Sequence, residues 1–202
     1  MQGEPANLDQ LTGRVVLLEV FQVNCPGCFL YALPQAIDLH YAYYQSGLSV
    51  IGIATAFEDF DKNTLTNLSR LADKSEVIGE TYRALEQEGM LTNGILPYKI
   101  PFPLAMDSLV KNEAQAREAE IRRFIEEQIP DFEKQPLLYR ENIIERVRTY
   151  FEKREYRAET FELYNLKGTP SYILIDKQGV LRKCEFGDHS VLESQIQALL
   201  IE

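Results

Sequence analysis

The 202-residue chain has only three cysteines and two histidines, and no apolar stretch long enough to span a bilayer. Three cysteines do not make a disulfide scaffold. Cys184, His40 and His189 are the only soft or borderline ligands besides Cys25 and Cys28, and none has ligand-like spacing, which argues against zinc. Positive charge is in deficit as well. The chain carries 21 Lys and Arg against 31 Asp and Glu, a formal net charge of −10. That balance argues against nucleic acid or an anionic membrane surface as a partner. Met1-Gln2-Gly3-Glu4-Pro5 lacks a basic region, and the apolar run Val15–Phe21 is short and contains Glu19, so neither reads as a signal peptide. The expectation is a soluble, cytoplasmic protein without a membrane partner.

What is present is concentrated in Cys25-Pro26-Gly27-Cys28. Two thiols three positions apart follow a strand-like run, and a helical pattern follows them. A close C-x-x-C at a strand-to-helix junction reads as a redox motif. Cys28 lies near enough to attack a disulfide formed on Cys25. The helix start offers free N–H groups and a positive dipole end, which favour a thiolate on Cys25, and the thiolate is the nucleophile in thiol–disulfide exchange.

The flanking pattern is α/β. Residues 14–23 are nearly continuously apolar, as a buried parallel strand is. Leu30, Leu33, Ile37, Tyr41 and Tyr44 recur at helical spacing, Pro34 should kink that helix, and Gly47 ends it. Residues 48–57 form a second buried strand. Helical periodicity then runs from about Thr64 to Gln87. The segment 100–106, with Pro101 and Pro103, reads as an edge or irregular strand. Residues 109–160 contain no glycine and balance 12 acidic against 11 basic residues. Ile121, Phe124, Ile125 and Ile129 form one apolar face and Ile143, Ile144, Val147, Tyr150 and Phe151 another, with Pro130 and Pro136 marking a break. The expectation is two amphipathic helices inserted into the parent domain, covering the sheet. Tyr172–Ile175, a turn at Gly179, and 180–186 make a hairpin, and 191–200 a closing helix. The whole is expected to be one domain, 1–202, interrupted at about 109–160.

The order of these elements, Cys25-Pro26-Gly27-Cys28, and Gly168-Thr169-Pro170-Ser171 together resemble the thioredoxin superfamily, most closely its redoxin or TlpA-like thiol–disulfide oxidoreductases. The resemblance covers roughly 8–60 and 160–201. It implies a thioredoxin-like three-layer α/β/α fold with a mixed central sheet and a helical insertion. It implies Cys25 as the attacking and Cys28 as the resolving cysteine, Pro170 as a cis-proline facing the dithiol, and Thr169 as a backbone partner for a bound substrate segment. Many relatives carry a buried acid six residues before the first cysteine. Here that residue is Glu19, whose pKa burial should raise and which could take the proton of Cys28. Asn24 stands where the family usually has an aromatic residue, the chain has no tryptophan, and the Pro-Gly order reverses thioredoxin's Gly-Pro.

The function expected is reduction of disulfides in partner proteins or small-molecule thiol substrates, with electrons from another dithiol and no metal or organic cofactor. Two alternatives stand beside it. One is a binding or redox-sensing module whose insert recognises a partner. The other is a thiol peroxidase, disfavoured because Gln22 occupies the place where peroxiredoxins have Thr or Ser. Cys184 is expected to be a small buried hydrophobe, and His40 and His189 surface or capping residues.

Overall fold

The computed structural model describes residues 7–111, 118–153 and 155–202. In chain order these form a 3₁₀ turn Leu8–Leu11, β1 Val15–Phe21, a π-helical turn Cys28–Ala32 continuing into α1 Leu33–Tyr43, β2 Leu48–Ala54, α2 Leu65–Lys74 and α3 Gly79–Gln87. There follow β3 Leu104–Met106, β4 Leu109–Lys111, α4 Glu118–Gln128, a 3₁₀ turn Phe132–Lys134, α5 Leu137–Lys153, β5 Tyr156–Ala158, α6 Glu159–Leu163, β6 Ser171–Ile175, β7 Leu181–Phe186 and α7 Leu192–Ile201. The chain divides into two compact units: Met1–Leu109 with Ala158–Glu202, and Val110–Arg157.

The first unit is built on a five-stranded sheet of order β3-β2-β1-β6-β7. β1 runs parallel to β2 and β2 parallel to β3, whereas β6 is antiparallel to β1 and to β7. All seven residues of β1 are buried, which explains the unbroken apolar run: a central strand covered on both faces has no side for water. Alternation sends Val15, Leu17 and Phe21 to one face and Val16, Leu18 and Val20 to the other. The first face packs against Phe29, Leu33 and Ala36 of the dithiol helix and Leu192, Ile196 and Leu199 of α7. The second is covered by Phe161, Tyr164 and Leu166. Helices on both faces of a mixed sheet give the three-layer α/β/α, thioredoxin-like fold. The expected edge strand is β3, only three residues long, its backbone limited by Pro101 and Pro103.

Two expectations about helices change. Pro34 lacks the N–H that an α-helix needs, and its ring crowds the preceding turn. The chain accommodates it by widening the turn before it, so that Leu33 N–H bonds to Cys28 O, five residues back. Such single π turns are how a helix absorbs a misfit. The helix expected over 64–87 is two helices. Ser75, at φ +58°, caps α2 in the left-handed conformation, and its hydroxyl donates to Tyr98 O at 3.0 Å. The chain restarts as α3 at Gly79, also at positive φ (+56°). Asn24 Oδ1 accepts from Glu80 N at 2.8 Å there, and a Cβ on residue 79 would collide with that same oxygen.

In the second unit α4 and α5 carry the two expected apolar faces. These faces bury against each other: Ile121, Ile125 and Phe132 form a small core with Ile129, Ile143, Ile144, Val147 and Phe151. Arg148 bridges the helices to Glu118 at 3.1 Å, an exposed pair contributing little.

Gly79→Ala combines backbone strain with a clash against the Asn24 cap, so it should destabilise the protein by about 2 kcal/mol. Denaturant unfolding of the purified variant measures this, and a change within about 0.5 kcal/mol would show that the close approach of Asn24 to Gly79 is unimportant.

Candidate active site

β1 ends at Phe21, and the chain turns through Gln22, Val23 and Asn24 into Cys25 at the start of the dithiol helix. Three side-chain contacts hold this turn. Asn24 N donates to Asn63 Oδ1 at 3.0 Å, Asn24 Nδ2 donates to Asp59 Oδ2 at 2.6 Å, and Asn24 Oδ1 caps α3 as described. Thr81 Oγ1 also donates to Val23 O at 2.9 Å. Asn24 therefore does work that an aromatic residue could not: it ties the approach to the dithiol to two other segments by hydrogen bonds in a buried setting.

Within the motif, Cys28 N donates to Cys25 O at 3.1 Å and lies 3.3 Å from Cys25 Sγ. Both cysteines, and Cys184, are free thiols. Cys25 is part-exposed, whereas Cys28 is fully buried in the first core. The two thiols are thus inequivalent. Hydrogen bonding from the Cys28 side chain lowers the Cys25 pKa to about 7; partial burial opposes this, and Thr169 and the N–H groups of Cys28 and Gly27 add to it. Burial, and then the neighbouring Cys25, push Cys28 well above the ordinary thiol value. One sulfur is ready to attack near neutral pH while the other keeps its proton.

The opposite wall comes from the loop before β6. The Thr169–Pro170 peptide is cis. Thr169 O lies 3.6 Å from Cys25 Sγ, and Thr169 Oγ1 donates to Gln22 Oε1 at 3.2 Å. Gly27 faces the Pro170 ring, with a Cβ there falling 3.9 Å from Pro170 Cδ. The antiparallel register that pairs Val20 with Ser171 carries both segments to the same end of the sheet. Cys25, Cys28, Thr169 and Pro170, 144 residues apart in sequence between Cys25 and Thr169, form one site.

Glu19 is fully buried on the face of β1 that carries Leu17 and Phe21, the face whose core contains Cys28. Burial raises its pKa, and the hydrogen bond and charge of His189 partly offset that. This corrects one expectation: His189 is neither a surface nor a capping side chain. It is 9% exposed, and its Nε2 stands 3.3 Å from Glu19 Oε2. No local signal pairs residues 170 positions apart, so the sequence hid this contact. Gln22, which the sequence marks only as neither Thr nor Ser, joins the turn to Thr169. His40 is half-buried against Tyr44 and Phe102, its ring centroid 5.3 and 5.9 Å from theirs. Cys184 pairs with Ile173 across β6 and β7, on the face away from the dithiol, with Sγ 3.6 Å from Tyr164 O. Among the described residues, no group of three His, Cys, Asp or Glu side chains could hold a metal ion. No described helix is long and apolar enough to cross a membrane.

No protein-family model matches the chain. A 60-residue stretch is 37% identical to Protein DipZ of Mycobacterium bovis and, equally, of Mycobacterium tuberculosis, covering 30% of this chain. The match spans about 8% of those proteins' length. Among solved structures, a thioredoxin-like superfamily protein is 25% identical, with a TM-score of 0.58 over 100% of this chain and 89% of that one. A thiol-disulfide isomerase from Corynebacterium glutamicum is 26% identical, with a TM-score of 0.58 over 100% and 90% of the two chains.

The inequivalence of the thiols is directly measurable. Alkylation of reduced protein by iodoacetamide, read by mass spectrometry, should modify Cys25 far ahead of Cys28, with a rate rising through a midpoint near pH 7. Cys28→Ala removes the largest cause of the low pKa and should move that midpoint upward towards the ordinary thiol value of about 8.5. Equal rates at the two cysteines would contradict the assignment.

Proposed function

We propose that this chain, whose fold is thioredoxin-like, is a dithiol reductant of disulfides in partner proteins or of small-molecule disulfides. The observation that carries this reading is the pairing of a part-exposed Cys25, its pKa about 7, with a buried Cys28 that keeps its proton. In the reaction the Cys25 thiolate attacks one sulfur of the substrate disulfide. A mixed disulfide forms and the other substrate sulfur leaves as a thiolate. Cys28 then gives its proton to Glu19, attacks Cys25 Sγ, and releases the second substrate sulfur. Two electrons pass to the substrate, and the enzyme is left with a Cys25–Cys28 disulfide, which a second dithiol protein reduces. Thr169 and Pro170 face the attacking sulfur and are the groups against which a substrate segment would lie.

The attacking thiol supports the reducing direction. A strongly depressed thiol, with a pKa of about 3.5, stabilises the reduced enzyme and makes it an oxidant; a pKa of about 7 goes with a reducing poise and near-optimal attack at neutral pH. Cys25 stands at the second value. A reductant of this kind suits a compartment that keeps thiols reduced, such as the cytoplasm.

Reduced wild-type protein should reduce insulin with a thiol donor present, and Cys25→Ser should abolish this. Cys28→Ser should accumulate mixed disulfides through Cys25 that dithiothreitol releases. Undiminished insulin reduction by Cys25→Ser would overturn the proposal.

A further inference from the structure

Glu19 is enclosed on every side, and only one of its oxygens is accounted for: Oε2 meets His189, whereas Oε1 is buried without a hydrogen-bond partner. A carboxylate in such a place is costly unless its proton can come and go. His189 is hydrogen-bonded to it, and the imidazole, unlike the carboxylate, retains a little exposure. The loop that carries His189, between β7 and α7, is tied to both walls of the dithiol site. Gly187 N donates to Pro170 O at 3.0 Å, and Gln35 Nε2, from α1, donates to His189 O at 3.1 Å. The imidazole is also held edge-on by the Tyr172 ring, with centroids 5.0 Å apart and planes at 67°. The loop is thus held by the Pro170 segment and α1, and the imidazole itself by Glu19 and the Tyr172 ring.

We propose that His189 is a positioning residue for the thiol–disulfide step: its charged imidazole holds Glu19 as the carboxylate that accepts the Cys28 proton. The inference rests on the reading of Glu19 as the acceptor for Cys28. In balanced form, Cys28 S–H loses its proton to the Glu19 carboxylate as its sulfur bonds to Cys25 Sγ and the substrate thiolate departs. The proton rests on Glu19, beside an imidazole that keeps its own, and leaves to solvent once the Cys25–Cys28 disulfide has closed. No oxidant beyond the substrate disulfide enters.

The surrounding charges permit this. Around the imidazole stand Glu19 on β1, Tyr172 on β6 and Asp188 beside it in the loop, with Glu185 and Cys184 of β7 acting on Tyr172 from further away. α1 contributes neutral Gln35 and α7 neutral Gln195, which accepts from Tyr172 Oη at 3.0 Å. Burial first, then Glu185 and Asp188, push Tyr172 up to about 12, so it does not compete for the proton. Burial opposes protonation of His189, but the Glu19 hydrogen bond and charge, with Gly187 and Asp188, outweigh it and raise the pKa. A protonated His189 lowers the pKa of Glu19. Removing the imidazole therefore lets Glu19 hold its proton to higher pH, where it cannot accept another.

The test is single-turnover reaction of the reduced full chain with 5,5′-dithiobis(2-nitrobenzoic acid), in a Cys184→Ala background, followed from pH 5.5 to 9. The first equivalent of thionitrobenzoate reports attack by Cys25 and serves as the internal reference. The second reports resolution by Cys28. In His189→Gln the second phase should slow about tenfold at pH 6.5 relative to the first, and its acid limb should shift to higher pH. Glu19→Gln should slow the same phase, and the double variant should be no slower than Glu19→Gln alone. A second phase in His189→Gln with the wild-type pH profile, or additive losses in the double variant, overturns the inference. Absence of a second phase in the wild-type chain would instead strike at Cys28 as the resolving thiol. Should His189→Gln not fold, NMR titration of His189 in the Glu19→Gln protein decides: its midpoint should fall relative to wild type, and an unchanged midpoint overturns the inference.

Discussion

Everything at the dithiol depends on the burial of β1 between two partners. Its parallel pairing with β2 and antiparallel pairing with β6 fix where its C-terminal end points. That end delivers the Asn24 turn and Cys25, and the start of β6 delivers Thr169 and Pro170 to the same place. A one-residue slip of either register would turn every side chain of β1 to the opposite face. Glu19 would then leave the face that it shares with the Cys28 core. The cost of burying the polar backbone of β1 is met by ladder hydrogen bonds on both sides.

On that frame the two cysteines are made different by depth and by hydrogen bonding. Cys25 sits where the helix begins and where backbone N–H groups have no helical partner. Cys28, one turn further, is enclosed by Phe29, Leu33 and the sheet. The same four-residue motif thus contains a thiol that ionises near neutrality and a thiol that resists ionisation. The proposed chemistry, attack before resolution, uses this difference and needs a group to take the second proton. In the proposed mechanism that role falls to the buried pair of Glu19 and His189, whose loop is attached through Gly187 and Gln35 to the two walls that hold the cysteines and Pro170.

Much of this was legible in sequence because it is local. The apolar run of β1, the helical spacing after Cys28, the β6–β7 hairpin and the Pro170 segment all carry short-range patterns, and they suffice for the fold and for Cys25, Cys28 and Pro170. What was not legible depends on distant partners. Ser75 breaks the helix expected over 64–87 without a proline, because Tyr98 and the Asn24 cap at Glu80 hold the new direction; Gly79 was the only local hint. The apolar faces at Ile121 and Ile143 are visible in sequence, but not that they meet each other. His189 follows an ordinary strand and looks like a surface residue, and only the fold brings it to Glu19. Periodicity reports which face of an element is apolar, and it is silent on which polar groups meet across the fold.

The central claim is that Cys25 and Cys28 act as one two-electron couple. Equilibration of the full chain in glutathione buffers of graded ratio, followed by acid quenching, thiol alkylation and mass analysis, tests it most directly. The account predicts a single transition in which Cys25 and Cys28 lose their thiols together, forming an intramolecular disulfide, while Cys184 stays alkylatable. Glutathione adducts on Cys25 with Cys28 still free at every ratio, and no internal disulfide, would contradict it.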